Sequence, residues 1–145
     1  MKKLMPLLLT LLVLTSKAQT TDTTLNSQII EVVNTDSVYT KVDVEAQFPG
    51  GEKKWNKFIQ EKIANNIDLL VNDTRSNGTC TIKFIIDQDG KISAARVMSM
   101  EGSELAKIFL NAVLKGPNWI PAKVSGVNVK STRLQKVTFR MPVKN

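Results

Sequence analysis

Three short turn motifs in a fixed order constrain the fold of this chain more than any other feature. They are QFPGGE at Gln47–Glu52, DQDGKI at Asp87–Ile92 and WIPAKVSGVNV at Trp119–Val129. Each contains proline or glycine, which break helices and strands because proline fixes its own φ and glycine reaches conformations closed to other residues. Between these motifs lie one helical pattern, one hairpin and a second helical pattern. Their order therefore predicts a small α+β domain.

The N-terminal residues have the layout of a secretory signal peptide. Lys2 and Lys3 precede an apolar run, Leu4–Leu14, and Ser16–Ala18 supplies small residues for cleavage. The run is shorter than the roughly 20 apolar residues that a membrane-spanning helix needs. We expect cleavage after Ala18, export, and a soluble periplasmic protein without stable membrane insertion. The alternative is a retained segment that anchors the chain in the inner membrane.

The remainder of the chain divides into a leader and one domain. Residues 19–38 are rich in Thr, Asp, Asn and Ser and predict a flexible leader, whereas residues 39–143 carry the hydrophobic patterns of a folded domain. The formal net charge of +7 includes Lys2, Lys3 and Lys17, so it falls to +4 without residues 1–18. That modest charge and the export segment argue against a nucleic-acid partner.

Hydrophobic periodicity predicts the elements of this domain. Cys80, Ile82, Phe84 and Ile86 alternate on one face of a strand, and Ser103 is a suitable N-cap for the second helix. The apolar stripe of the first helix consists of Trp55, Phe58, Ile59, Ile63 and Ile67, and that of the second consists of Leu105, Ile108, Phe109, Ala112 and Val113. The predicted ranges are strands at 39–44, 79–86, 91–99 with a bulge, and 127–141, and helices at 52–66 and 103–114.

The last predicted strand has an unusual pattern. Its odd positions are apolar at both ends, but Ser131, Arg133 and Gln135 in the middle are polar. The pattern predicts a strand that leaves the core midway or lies at a sheet edge.

The sequence lacks the residues of common catalytic and metal sites. It contains no histidine and a single cysteine, so a histidine base, a zinc cluster and an intramolecular disulfide are all excluded. Cys80 is expected to be a buried, inert thiol. Asp87 and Asp89 with Gly90 predict a tight turn rather than a calcium loop, because Arg96 stands where an EF-hand needs Glu. We expect a protein that is not an enzyme and has no cofactor.

Three segments together resemble the C-terminal domain of TonB proteins. They are QFPGGEKKWNKFIQEKI, GTCTIKFIIDQDGKISAARV and WIPAKVSGVNVKSTRLQKVTF, and the FPGG motif is similar to the variant common in Bacteroidetes. The resemblance covers about Tyr39–Met141. It implies an α+β fold of two helices packed on an antiparallel sheet of about three strands. The motif residues that carry it are Phe48, Pro49, Gly50, Gly51, Asp87, Asp89, Gly90, Trp119, Pro121, Ala122, Gly126 and Val129.

The resemblance also implies a function and a binding site. Members of this family bind outer-membrane transporters in the periplasm by pairing their last strand with an extended segment of the partner, and so take part in transmembrane transport. The corresponding partner-binding residues here are Ser131, Arg133, Leu134, Gln135, Lys136 and Val137. The partner is expected to be such a transporter or another envelope protein. The alternative is an envelope structural or interaction module, bound to peptidoglycan or forming a strand-exchanged homodimer, without energy coupling.

The chain departs from the family pattern in ways that bear on coupling. The family usually has a Tyr-Pro pair where Ile67-Asp68 stands here, and often a proline where this chain has Lys136. A complete energy transducer also has an inner-membrane anchor and a long proline-rich spacer. If the signal peptide is cleaved, the Thr-rich leader provides no anchor, and the chain would be a binding module without an attachment to the inner membrane.

Overall fold

The computed structural model describes residues 33–142, so the predicted signal peptide and the leader up to residue 32 lie outside the described residues. The described elements, in chain order, are β1 (Val38–Tyr39), α1 (Gly51–Ala64), α2 (Ile67–Val71), a 3-10 turn (Thr74–Ser76), β2 (Gly78–Ile86), β3 (Ile92–Val97), α3 (Glu104–Leu114), β4 (Ala122–Val124) and β5 (Val127–Phe139).

The strands form one mixed sheet in the order β1-β5-β2-β3, with β4 paired to the beginning of β5. β2 pairs antiparallel with β5 along its whole length, from Gly78 opposite Phe139 to Ile86 opposite Ser131. β1 pairs parallel with β5, and β4 pairs antiparallel with it. The predicted α+β class is confirmed. Three long strands form the antiparallel sheet, and the short elements β1, β4 and α2 add to it.

The central hairpin follows the predicted alternation. On β2, at most 1% of the surface is exposed at each of Cys80, Ile82, Phe84 and Ile86. Ile85 lies opposite Ala94 but Ile86 lies opposite Ile92, so the return strand has one extra residue at this point. The predicted bulge is therefore confirmed, and it explains why the apolar residues of β3 do not share one parity.

The two long helices turn the predicted stripes towards the core, with Phe58, Ile63 and Ile108 only partly buried there and Ile67 excluded from it. Trp55 and Ile59 of α1 are buried, and the Ser103 side chain caps α3 by accepting a hydrogen bond from the Ala106 N–H at 3.1 Å. The prediction that Ile67 continues the α1 stripe is wrong, because α1 ends at Ala64 and a two-residue turn reorients the chain. Ile67 instead begins α2 and is 42% exposed, while Leu70 is the α2 residue that enters the core.

The prediction of a first strand over residues 39–44 is also wrong. Only Val38 and Tyr39 pair with β5, and the chain then turns towards β4. The Val44 N–H donates to the Lys123 carbonyl at 3.1 Å, and the Ser125 N–H donates to the Asp43 carboxylate at 2.6 Å. These bonds hold residues 43–47 beside β4 rather than beside β5.

The three turn motifs meet at an aromatic cluster. The Phe48 ring lies 5.3 Å from that of Trp55 and 5.7 Å from that of Trp119, measured between centroids. The Trp119 N–H donates to the Gly90 carbonyl at 2.8 Å, and backbone bonds join Gln47 to Ile120 in both directions. The motifs are thus distant in sequence but form one buried corner of the domain.

Asp73 joins the 3-10 turn to the beginning of α3, which the sequence did not predict. Its carboxylate accepts hydrogen bonds from the Glu104 N–H at 2.7 Å, the Ser76 hydroxyl at 3.0 Å and the Arg75 side chain at 2.9 Å. The Glu104 N–H is the main reason that the pKa of Asp73 lies well below its ordinary value, and the Arg75 and Ser76 bonds act in the same direction.

Candidate partner-binding edge

The beginning of β5 pairs with β4 and then with β1. Further along, β5 is paired on one side only. Residues 127–129 pair with β4, residues 130–131 pair with β1, and residues 131–139 pair with β2. Within residues 33–142, residues 132–139 have no strand on the side away from β2. This segment, which we call the open edge, is the exposed pairing edge of β5.

Two hydrogen bonds of β2 establish which backbone groups of the open edge are available. The Thr81 carbonyl accepts from the Met98 N–H at 2.8 Å, and the Thr81 N–H donates to the Ser99 hydroxyl at 2.9 Å. Thr81 therefore directs its backbone groups away from β5. In an antiparallel pair the directly opposite residue, here Lys136, must also direct its N–H and carbonyl outward.

Alternation along the strand extends this result to the other even positions. Backbone groups point to opposite sides at successive residues of a strand, so Thr132, Leu134 and Thr138 share the orientation of Lys136. The odd residues bond to β2 instead. Leu134 is 54% exposed, and Lys136 and Thr138 are also exposed. The parallel pair of Tyr39 with Ser131 engages the Thr132 N–H, so the open edge presents three fully unpaired sets of donor and acceptor, at Leu134, Lys136 and Thr138.

A cavity of about 380 Å³ lies beside the open edge, on the face that the helices cover. Buried aromatic rings of Phe48, Trp55 and Trp119 form part of its wall, and Arg133 and Gln135 contribute from β5. The remaining lining residues are Glu45, Gln47, Gly51, Glu52 and Leu134. The polar middle of β5 therefore lines a cavity between the strand and the beginning of α1.

Arg133 is the charged residue of β5 that faces this cavity. Its guanidinium donates to the Glu45 carboxylate at 3.2 Å, and 31% of its side-chain surface is exposed. The Nε atom of Arg133 is buried and has no hydrogen-bond partner among the described residues. Because an unpaired buried donor costs free energy, this group favours a hydrogen-bond acceptor in the cavity.

The beginning of α1 borders the same cavity through Gly51 and Glu52. Gly50 has a left-handed conformation with φ 84° and provides no side-chain cap, and Gly51 donates its N–H to the Phe48 carbonyl. The first N–H groups of a helix lack partners within the helix unless a side chain caps them. The FPGG motif therefore leaves the helix end uncapped where it borders the cavity.

The structure divides the six predicted partner-binding residues into three groups. Leu134 and Lys136 present outward backbone groups, while the side chains of Arg133 and Gln135 line the cavity. Ser131 and Val137 are buried, and Ser131 pairs with strands on both sides. Thr132 and Thr138 were missed. The alternation along β5, in which the even residues direct their backbone groups outward, would have identified them once the pairing with β2 was known. The binding role of all these residues stays a prediction.

Cys80, Asp87 and Asp89, which the sequence analysis also considered, lie in the core or in the hairpin turn. Burial raises the pKa of the Cys80 thiol to about 11, and its Sγ lies 3.5 Å from the Ser99 carbonyl. The Asp87 backbone closes the hairpin turn with Lys91 and Gly90, and the Asp89 carboxylate lies 3.4 Å from the Lys91 ammonium. Over residues 33–142, no group of three potential metal ligands occurs, and no helix is long and apolar enough to cross a membrane.

Comparison with known proteins identifies part of the chain. Residues 71–141 match the model of a family described as the C-terminal region of Gram-negative bacterial TonB proteins. The matched residues run from the end of α2 through β5 and include the open edge, whereas the FPGG motif precedes them. No curated protein and no solved structure matches the chain significantly.

Proposed function

Residues 71–141 belong to the family of TonB C-terminal domains, and from this premise we propose that the domain binds an extended segment of an outer-membrane transporter by strand addition. The added strand pairs with the open edge of β5. The domain is then the binding part of TonB-dependent transport in the periplasm. Another envelope protein with an exposed extended segment is the alternative partner of the same edge.

The observation that carries the proposal is the outward orientation of the even residues of β5. An incoming strand can pair with Leu134, Lys136 and Thr138 without breaking any bond of β5 to β2 or β1. Backbone pairing supplies affinity that depends little on the partner's sequence. Specificity must then come from side chains that flank the edge.

The cavity beside the edge supplies such specificity. Side chains of an added strand alternate between the two faces of the sheet. Those on the helix-covered face project next to Arg133 and Gln135, which line the cavity. A partner side chain with a hydrogen-bond acceptor would pair with the unbonded Nε of Arg133 after a small movement of the guanidinium.

Site-specific photo-crosslinking in the producing cell tests the proposal. A photoreactive amino acid at Leu134, which is on the open edge, should capture the extended segment of a transporter, and mass spectrometry of the product identifies the residues joined. The same amino acid at Lys107 on α3 is the control, since it is exposed away from β5. Products at Leu134 that contain only a second copy of this chain would instead support the homodimer.

A proline substitution isolates the backbone contribution. The Leu134 N–H points away from β2, so Leu134→Pro removes a donor to the added strand without removing a bond within the sheet, and proline is tolerated at such edges. Leu134→Ala removes the side chain but keeps the donor. We expect Leu134→Pro to weaken capture of the partner at least about fivefold relative to Leu134→Ala. Equal capture by the two variants would contradict backbone pairing at this residue.

A further inference from the structure

The charges of the domain are distributed unevenly between the sheet and the rest of the molecule. β2, β3 and β5 contain five lysine or arginine residues and no aspartate or glutamate. The other residues in the range 33–142 carry eleven positive and eleven negative side chains. The whole net charge of the described residues, +5, therefore belongs to these three strands.

Three of these five cations lie together on the face of the sheet that the helices do not cover. The even residues of β2 are buried beneath the helices, so Lys83 points to the opposite face. Arg96 lies directly opposite Lys83 across the β2–β3 pair. Lys136 lies opposite Thr81, one position along on the same face. We call Lys83, Arg96 and Lys136 the basic face.

The basic face has features of a binding surface rather than of a stabilising one. Like charges directly opposite each other on neighbouring strands destabilise a sheet, yet Lys83 and Arg96 occupy such a pair. All three side chains are exposed, and none takes part in a salt bridge among the described residues. Their arrangement therefore costs stability in the free domain and would be relieved by an anionic partner.

The surface between these cations indicates the kind of anion. A shallow depression of about 150 Å³ lies between the side chains of Lys83 and Arg96, and Ile85 and Ala94 contribute to its mostly apolar lining. Leu134, which is exposed, lies opposite Lys83 on the neighbouring strand. A ligand that combines a phosphate with hydrocarbon fits cations around an apolar floor. A broad sheet face also suits a flat surface better than a single extended peptide.

We propose that the basic face docks the domain on the surface of an anionic phospholipid membrane. Lys83, Arg96 and Lys136 contact the phosphate groups, and Ile85 and Leu134 lie against the lipid beneath them. Docking of this kind is peripheral and needs no membrane-spanning segment. A strand added at the open edge extends the sheet sideways, so docking and strand addition do not compete. The inference is independent of the proposed function.

Binding to lipid vesicles by matched variants tests this proposal. The sheet variant combines Lys83→Gln, Arg96→Gln and Lys136→Gln in the full chain. The helix variant combines Lys53→Gln, Lys54→Gln and Lys115→Gln, which are also exposed and likewise outside the described salt bridges. The two variants have the same net charge and the same N-terminal residues, so only the position of the removed charges differs between them.

Each basic residue near an anionic membrane contributes a factor of about five to binding, so the sheet variant should bind phosphatidylglycerol vesicles roughly 100-fold more weakly than the native chain. The helix variant should lose far less, and raised salt should weaken native binding because it screens exposed charges. Equal losses in the two variants would overturn the proposal, since binding would then follow net charge alone. Circular dichroism checks that both variants are folded.

A titration with short-chain lipid locates the contact independently of the N-terminal segment. Soluble dihexanoyl phosphatidylglycerol should shift the amide NMR signals of β2, β3 and β5 around the basic face, and the phosphatidylcholine analogue should not. Shifts confined to other elements, or equal shifts with both lipids, would contradict the assignment. Binding of a poly-glutamate peptide to this face without binding of either lipid would overturn membrane docking in favour of an acidic protein partner.

Discussion

At the scale of single residues, Gly90 has the most demanding position in the domain. Its φ is +86°, and a Cβ placed on it would lie 1.9 Å from the Trp119 carbonyl oxygen. The hairpin turn and the Trp119 segment can approach this closely only because residue 90 has no side chain. The glycine of the DQDG motif therefore matters for tertiary packing as well as for the turn.

Gly90→Ala should reduce the free energy of unfolding by about 3 kcal/mol or more, because it combines a left-handed conformation costing about 1–2 kcal/mol with a backbone clash. Gly126→Ala is the matched control: its φ is +79°, but nothing lies within 4 Å of the added Cβ. It should show the conformational cost alone. Urea unfolding measures both, and equal losses would show that the contact with Trp119 is unimportant.

Asp73 should make the domain sensitive to acid. Because the pKa of its carboxyl is lower in the folded state than in the unfolded state, its contribution to stability is complete above the unfolded pKa of about 4 and is lost as the pH falls below it. Asp73→Asn should therefore lower stability at neutral pH and flatten its decline in acid. Asp68→Asn, on the exposed side of α2, is the control. Thermal unfolding at a series of pH values distinguishes them, and parallel pH curves for native and Asp73→Asn chains would refute this role.

At the scale of elements, β5 combines three environments along thirteen residues. Val129, Val137 and Phe139 towards its ends are buried in the core, its beginning is paired with β1 and β4, and its polar middle borders the cavity. The sequence predicted the polar interruption correctly and offered an edge or a departure from the core as its cause. The structure shows that the interruption faces the helices, where the uncapped beginning of α1 leaves space.

The sequence predicted the long elements well because each has a strong hydrophobic period or a clear terminal signal. The alternation from Cys80 to Ile86 and the Ser103 cap are examples. The short elements β4 and α2 were missed and the first strand was predicted with the wrong bounds, because two to five residues carry no measurable period. Their conformations depend on tertiary bonds, such as those from residues 43–47 to β4. The cavity could not be predicted either, since distant segments enclose it.

Arg133 should contribute more to binding than to folding. Its ion pair with the exposed Glu45 is of a kind that contributes about 0–1 kcal/mol, and its buried Nε is unpaired. Arg133→Met should therefore change the free energy of unfolding by less than about 1 kcal/mol, as urea unfolding would show, but weaken capture of the transporter segment. Arg140→Met, which removes a cation just beyond β5, is the control. A large loss of stability without a loss of capture would show that Arg133 is structural.

At the scale of the whole molecule, the two proposed binding surfaces share the sheet and meet at Leu134 and Lys136, which offer backbone groups to one and side chains to the other. The open edge offers backbone groups in the plane of the sheet, whereas the side chains of the basic face project perpendicular to that plane. The helices cover the remaining face and form the core with the aromatic corner. The three long strands carry all the excess positive charge, while the helices and loops are balanced.

The concentrated charge should give the domain an unusual response to salt. Repulsion between Lys83 and Arg96 weakens when exposed charges are screened, so the free energy of unfolding should rise by a few tenths of a kcal/mol between low and physiological ionic strength. Lys83→Gln should be more stable than the native chain at low salt and should reduce this dependence. Identical salt dependence in the two chains would show that the opposed pair is not strained.

Hydrogen exchange of β5 amides, with and without the captured partner segment, tests strand addition most directly. The odd residues already bond to β2, so their exchange should change little. The even residues Leu134 and Lys136 direct their amides outward, and these amides should become protected only when a strand pairs with the open edge. Strand addition therefore predicts protection that alternates with a period of two residues along β5. Partner binding that leaves the Leu134 and Lys136 amides unprotected would contradict it.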